Sequence, residues 1–347
     1  MTTRCALKRK GINYDVGTHT RGQASSSREA FEPDVVRREM EIIRRDLHCT
    51  AVRISGQDLE RLTAAARFAL EQGLEVWFSP AFVDADEART LAYFEACAAA
   101  AERLRQQYPS VVFVAGCELT IFMKGLVAGE TSFDRMGTFM SPWKLLLNTV
   151  RKGSFQKRLN AFLAKAAAVV RRHFRGPVTY ASGTWEQVDW TPFDFVGVDY
   201  YRDRANAGSY REKLRGYFKH GKPVAILEFG CCTYAGAADK GGYGWAIVDR
   251  KQTPPRLKGD YARDEDEQVR YMDDLLPVFE EEGADAAFWF TFVMPYYPHR
   301  GEPALDLDIA SYGIVKPLTG RSGGAYPGMP WEPKAAFGRL ASRYRES

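Results

Sequence analysis

Eight times along the chain a short apolar run, rich in β-branched and aromatic residues, gives way to a longer polar or amphipathic stretch. No other feature limits the fold as strongly. The apolar runs cover Gly11–Asp15, Ala51–Ser55, Leu74–Ser79, Val111–Cys117, Val178–Ser182, Phe195–Tyr200, Val224–Glu228 and Ala286–Phe292. Helical periodicity lies between them at Asp58–Gln72, Glu87–Gln107, Gln156–Phe174, Tyr210–His220 and Glu265–Glu282. Asp58 and Asp264 stand where an N-cap is expected, and Gly73 and Gly283 where a helix C-terminus takes glycine. Many of the strand candidates are apolar at consecutive positions, which implies burial on both faces and parallel pairing. Two architectures satisfy that pattern, a closed (β/α)8 barrel and an open doubly wound sheet. With eight units and no Gly-x-Gly-x-x-Gly after the first strand, the barrel is expected.

No linker rich in Pro, Gly or Ser divides the sequence, so residues 1–347 are expected to form a single α/β barrel domain. Residues 123–150, 235–262 and 296–332 read as long loops after strands 4, 7 and 8. In a barrel all three would rim the face formed by the C-terminal strand ends, where barrel enzymes keep their sites.

Composition excludes several classes. The net charge is +4 and the basic residues are scattered, with local clusters only at Arg4–Lys10 and Arg171-Arg172. That is not the basic stripe of a nucleic-acid binder, so no nucleic-acid partner is expected. No run approaches the ~18 apolar residues of a membrane span, and no membrane partner is expected. The first ten residues carry charge but no apolar core, which leads to the expectation of a cytoplasmic protein. Oligomeric state is not legible. The six cysteines form no disulfide framework, and the adjacent pair Cys231-Cys232 lacks the Cys-x-x-Cys spacing of a zinc or redox site. A vicinal disulfide or a ligand-contacting thiol stays open there. The five histidines fall in no metal-binding spacing, so neither a metal nor a cofactor is expected. The acidic run Asp264–Glu267 fits the first turn of a helix.

The polar residues at the C-terminal strand ends form the candidate site. Strand 1 offers Asp15, with His19 in the following loop, and strand 2 offers Arg53. Strand 4 ends Gly116-Cys117-Glu118, strand 6 Asp199-Tyr200-Tyr201, and strand 7 Leu227-Glu228, while strand 8 carries Trp289. Burying Glu228 without a partner would cost several kcal/mol, so a strand that ends on it needs a reason. Glu118 and Glu228 stand on opposite sides of an eight-strand ring and can face each other over one ligand. Such a pair suits glycosidic bond cleavage, one carboxylic acid protonating the leaving oxygen while the other carboxylate attacks the anomeric carbon. Arg53 and nearby tyrosine hydroxyls would keep the nucleophile ionised, and an apolar setting would raise the pKa of Glu118. Strand alternation lets only one of Asp199 and Tyr200 point inward, and Tyr200 is the residue expected there.

Gly221-Lys222-Pro223-Val224-Ala225-Ile226-Leu227-Glu228-Phe229-Gly230 resembles the strand-7 nucleophile segment of the clan A glycoside hydrolases, which are (β/α)8 retaining enzymes. Gly73–Phe78 is similar to their strand 3, and Trp331–Phe337 to the segment leading into their last helix. Gly-Cys-Glu-Leu and Glu-Phe-Gly-Cys-Cys-Thr-Tyr also resemble an actinobacterial glycosidase-like group labelled abortive infection proteins, a label that carries no mechanism. The clan resemblance implies Glu118 as acid/base and Glu228 as nucleophile. It further implies Arg53 as the strand-2 arginine, Tyr200 or Tyr201 as the residue beside the nucleophile, and Trp289 as the aromatic under the sugar. Cys117 departs from the family, which places Asn before the acid/base to contact the sugar 2-hydroxyl. A thiol is a poor donor for that contact.

These features lead to a retaining glycosidase acting on a small or intracellular glycoside. Two alternatives stay open: a biosynthetic enzyme using the same carboxylates for proton transfer in a cyclisation or elimination, and a non-catalytic barrel that binds carbohydrate or a protein partner.

Overall fold

A computed structural model describes residues 6–19 and 26–346; Cys5 and the start of the Arg4–Lys10 cluster lie outside them. Eight parallel strands close into a barrel: β1 (Arg9–Asp15), β2 (Ala51–Gly56), β3 (Glu75–Pro80), β4 (Val111–Cys117), β5 (Val178–Gly183), β6 (Val196–Asp199), β7 (Val224–Phe229) and β8 (Ala286–Trp289). Each strand pairs with the next in sequence, and β8 closes on β1 through Arg9–Ile12. The sequence expectation of a (β/α)8 barrel is met. Strand β8 stops at Trp289 rather than continuing to Phe292.

Two layers of apolar side chains hold the barrel. Inside, Ala51, Trp77, Val112, Val114, Phe195, Leu227 and Phe288 fill the floor, with the Trp77 ring 5.0 Å from Phe288 and 5.1 Å from Phe195. Outside, the opposite faces of the strands pack on the helices in a larger cluster that includes Ile12, Val52, Phe113, Val198, Phe229 and Trp289. The crossover helices are α1 (Pro33–Arg45), α2 (Leu59–Glu71), α3 (Glu87–Gln107), α4 (Phe155–His173), α5 (Tyr210–Phe218) and α6 (Asp266–Glu282), followed by α7 (Ala335–Glu346). Asp58 caps α2 as expected, its carboxylate accepting from the Arg61 amide. Asp264 does not cap α6. Its amide is tied to Thr233 O and its carboxylate receives Arg270, so the helix opens one residue later on Glu265 without a side-chain cap.

The three long connections all rise from the C-terminal strand ends, but the first is helical rather than loop-like. It forms short helices at Leu119–Phe122, Ser132–Phe139 and Pro142–Lys152. Thr131 and Asp134 make a capping box, and Ser141 caps the turn ahead of Pro142. The second connection contains a 3-10 stretch, Ala237–Ile247, and a small hairpin pairing Val248–Asp249 with Arg256–Leu257. The third contains an antiparallel hairpin pairing Val315–Pro317 with Trp331–Pro333. Among the described residues no helix is long and apolar enough to cross a membrane.

Two irregularities in the barrel bear on its mouth. The pairing of β4 with β5 shifts register between Val114 and Cys117. The pairing of β7 shifts against both neighbours around Leu227 and Glu228. Bulges of this kind let consecutive residues turn toward the same side of a strand.

Candidate active site

Arg53 organises the mouth. It is 1% exposed, rises from the middle of β2, and reaches across the barrel. Its Nη1 donates to Glu228 Oε1 at 2.8 Å and to Asn13 Oδ1 at 3.3 Å, and its Nε to Ser79 Oγ at 3.3 Å. Asn13 in turn donates to Leu227 O at 2.8 Å, which locks β1 to β7 beneath the site. The other Glu228 oxygen accepts from the Tyr201 hydroxyl at 2.8 Å. Burial holds the Tyr201 phenol well above its ordinary pKa, so it stays a donor. The carboxylate ending β7 is thus compensated by a fixed guanidinium and a neutral hydroxyl. Gly230 follows because a Cβ there, at φ +157°, would sit 2.6 Å from Phe290 O.

Opposite Glu228, β4 ends in a sharp turn. Glu118 adopts a left-handed backbone (φ 41°, ψ 48°), a conformation that costs a non-glycine residue on the order of 1–3 kcal/mol. The turn after it is held from behind. Glu186, buried, accepts from the Thr120 amide at 3.1 Å, the Thr120 hydroxyl at 2.6 Å and the Tyr180 hydroxyl at 2.7 Å. The Tyr180 oxygen accepts from the Leu119 amide at 2.8 Å. The Glu118 carboxyl faces a cavity of about 380 Å³ that Cys117, Asp199, Tyr201 and Glu228 also line. Desolvation, then repulsion from Asp199 and Glu228, pushes the pKa of Glu118 well above the usual carboxylate range. Trp185, Tyr243, Trp245, Phe290 and Tyr296 supply aromatic walls. A second lobe of about 200 Å³ continues from Cys117 and Glu228 toward Asp15, Ser55 and Phe82. A groove of about 600 Å³ lies beyond Val293 and Tyr296, and two of the residues on its wall, Arg28 and Glu39, pair with each other at 2.7 Å.

No protein-family model matches the chain, and no curated protein matches it. Solved structures do. A GH113 β-1,4-mannanase aligns over 98% of this chain and 100% of its own at TM-score 0.62 and 14% identity. The GH113 β-mannanase AaManA from Alicyclobacillus acidocaldarius, in complex with ManMIm, aligns over 100% and 99% at TM-score 0.58 and 14% identity. A calcium-binding mutant of Bacteroides uniformis β-glucuronidase 2 aligns over 99% of this chain but 35% of its own, at TM-score 0.59 and 15% identity. The chain has the barrel fold of these glycoside hydrolases.

Of the residues singled out in the sequence, Cys117, Glu118, Tyr201 and Glu228 meet at one cavity, and Arg53, which lines the second lobe, joins them through Glu228. Asp15 lines the second lobe, its Oδ1 accepting from the Gly17 amide at 3.0 Å, while His19 is exposed at the edge of the described segment. Tyr200 and Trp289 are placed elsewhere, and both expectations are corrected for the same reason. Phe195 of the segment entering β6 and Phe288 of β8 point into the barrel, so alternation sends Asp199 and Phe290 inward and turns Tyr200 and Trp289 out. The Tyr200 hydroxyl donates to Tyr210 O at 2.6 Å in the helix layer. Trp289 packs 5.3 Å from Phe229 and donates to Tyr312 O. The adjacent thiols Cys231 and Cys232 are free and buried, near Glu267 O and Ala310 O respectively, which overturns the vicinal-disulfide reading.

Asp199 is the residue that sequence reasoning misplaced. Its side chain is fully buried, 3.3 Å from Cys117 Sγ and 3.7 Å from Arg53 Nη1. Burial, then repulsion from Glu228, raises its pKa well above the ordinary value, and its Oδ1 has no hydrogen-bond partner. Cys117 Sγ, Asp199 and Glu228 bring potential ligand atoms within 4.8 Å of one another. A cation there would lie against the fixed guanidinium of Arg53, which already compensates the same carboxylates, so the set does not fit a metal.

Proposed function

We propose that the protein is a retaining glycosidase that works without a metal, the chain acting as one barrel domain in the cytoplasm on a small glycoside. The observation that carries this is the asymmetry between two carboxyl groups on one cavity: Glu228 is held by Arg53 and Tyr201, while desolvation favours the protonated form of Glu118. Glu118 would give its proton to the glycosidic oxygen as the Glu228 carboxylate bonds to the anomeric carbon and the aglycone leaves. The resulting Glu118 carboxylate would take a proton from water, whose oxygen displaces Glu228 and restores both groups. Aromatic walls supply flat apolar surface for a sugar ring. The mannanase neighbours make β-mannosides the first substrates to try.

A second reading keeps the site and drops hydrolysis. Asp199, whose protonated form is favoured by burial and by repulsion from Glu228, stands next to a cysteine where the resembling family carries asparagine, and would be an extra proton source suited to a cyclisation or elimination. Incubation with activated 2-deoxy-2-fluoro glycosides separates the readings. A glycosidase accumulates a covalent adduct on Glu228, seen by peptide mass spectrometry and absent in Glu228→Gln. Turnover of an identified glycoside by Glu228→Gln at the wild-type rate would sink the nucleophile assignment.

A further inference from the structure

The helix Pro142–Lys152 is inverted. Its one buried side chain is Asn148, whose Oδ1 accepts from the Ala128 amide at 3.1 Å, while Trp143, Leu146, Leu147 and Val150 are exposed and Leu145 is half-buried. Trp143, Leu146, Leu147 and Val150 recur at i, i+3, i+4 and i+7, the spacing of a continuous apolar stripe. Trp143 is 72% and Val150 75% exposed, and Met140, at the end of the preceding helix, extends the patch at 73%. Such a stripe normally turns into a core. Here it forms the most apolar part of the described surface.

Charge narrows what can cover it. From Arg135 to Trp185 the sequence contains no Asp or Glu and ten Lys or Arg. Lys144 and Arg151 flank the stripe, and Lys152 and Lys157 follow; among the described residues none of the four is held in an ion pair. An apolar face carrying tryptophan, in a stretch that has unpaired cations and no Asp or Glu between Arg135 and Trp185, matches an anionic lipid surface, where the side chains enter the acyl boundary and the cations meet headgroups. A second copy of this chain would bring the same unpaired cations together. We infer that this helix seats the protein on an anionic membrane surface. The expectation of no membrane partner rested on the lack of a spanning segment, and a helix lying in the interface needs none. The preceding helix contributes Phe133 and Met136 to the wall of the candidate site, so seating brings the mouth of the barrel close to the bilayer. The inference stands on the surface alone and does not depend on the reaction proposed.

Co-sedimentation of the full chain with vesicles of phosphatidylcholine containing about 30% phosphatidylserine tests it, with pure phosphatidylcholine as reference. The chain should pellet with the anionic vesicles and be released in about 1 M salt, where the Debye length falls to about 3 Å. Replacing Lys144, Arg151 and Lys152 by Gln should weaken partition about fivefold each, roughly a hundredfold together. Trp143→Ser with Val150→Ser should abolish insertion, read as loss of quenching by brominated lipid, while circular dichroism shows an unchanged fold. Absence of binding to anionic vesicles at low salt would overturn the inference. So would binding that both sets of substitutions leave intact, or a dimer in solution that Val150→Arg separates and that does not bind vesicles.

Discussion

Replacing Arg53 with Met removes the one guanidinium that contacts the Glu228 carboxylate among the described residues and keeps the volume of the side chain. Arg53 is 1% exposed and the Glu228 side chain 14%, so neither charge is well screened by water. Breaking such a pair from one side leaves an uncompensated carboxylate, at a cost of about 3–5 kcal/mol. With an unfolding entropy of ~2.1 cal/mol/K per residue, that lowers Tm by about 4–7 °C in a chain of this length. Removing the other partner should cost less. In Glu228→Gln the repulsion on Asp199 is gone, and that carboxyl, 3.7 Å from Arg53, can ionise and take over the pairing. About 1 kcal/mol, the scale of one exchanged hydrogen bond, is expected for it. The double variant Arg53→Met, Glu228→Gln should recover part of the single Arg53 loss, with a coupling of about 1–3 kcal/mol. Thermal and urea unfolding of the four proteins at neutral pH measures the cycle. A melting curve for Arg53→Met within about 1 °C of wild type would refute the assignment of Arg53 as the compensating charge.

Two further outcomes follow from the raised carboxyl groups. If Glu118 is the acid, the alkaline limb of kcat/KM lies above the ordinary carboxylate range, and Glu118→Gln removes that limb while lowering the rate about 10²–10⁴-fold; a limb that survives the substitution unchanged would exclude Glu118 as its source. Asp199 has a folded pKa raised above its unfolded value of about 3.9, so folding favours its protonated form, and the associated stability is complete at low pH and lost as pH rises through the folded pKa. Asp199→Asn escapes that loss, and its stability relative to wild type should climb as pH rises above about 4 in urea titrations; a difference that does not vary with pH would rule this out.

Much of the site was legible because barrel topology converts position into location. Once eight strand–helix units are recognised, the last residues of each strand must stand at one mouth, and Glu118 and Glu228 follow from that, while Arg53 reaches the site from the middle of β2 by the length of its side chain. Side-chain direction was harder. The parity that carries Phe195 and Phe288 inward also carries Asp199 and Phe290 inward, but it depends on which residue of each strand first faces the axis. Burial on both faces removes the polar alternation that would have revealed this, so Tyr200 and Trp289 were expected where Asp199 and Phe290 stand. Glu228 illustrates the opposite case. Leu227 points into the barrel, and strict alternation would have turned Glu228 away from it. The shift in register around these residues lets both serve the interior, and no local signal in Leu227-Glu228-Phe229 announces it.

The sequence by itself determined the architecture and which strand ends face the mouth, because apolar periodicity and strand count leave few ways to bury both faces of eight strands. It also carries the caps Thr131-x-x-Asp134 and Ser141-Pro142, which mark two helix starts in the first long connection. Only the tertiary structure decided which carboxyl groups share a field. Asp199, Glu228 and Arg53 come from three different strands, and Glu186 supports the Glu118 turn from a fourth connection. It likewise decided that the stripe of Trp143, Leu146, Leu147 and Val150 faces water. An amphipathic period fixes that a helix has an apolar side, whereas the packing of Asn148 against Ala128 fixes which way that side points.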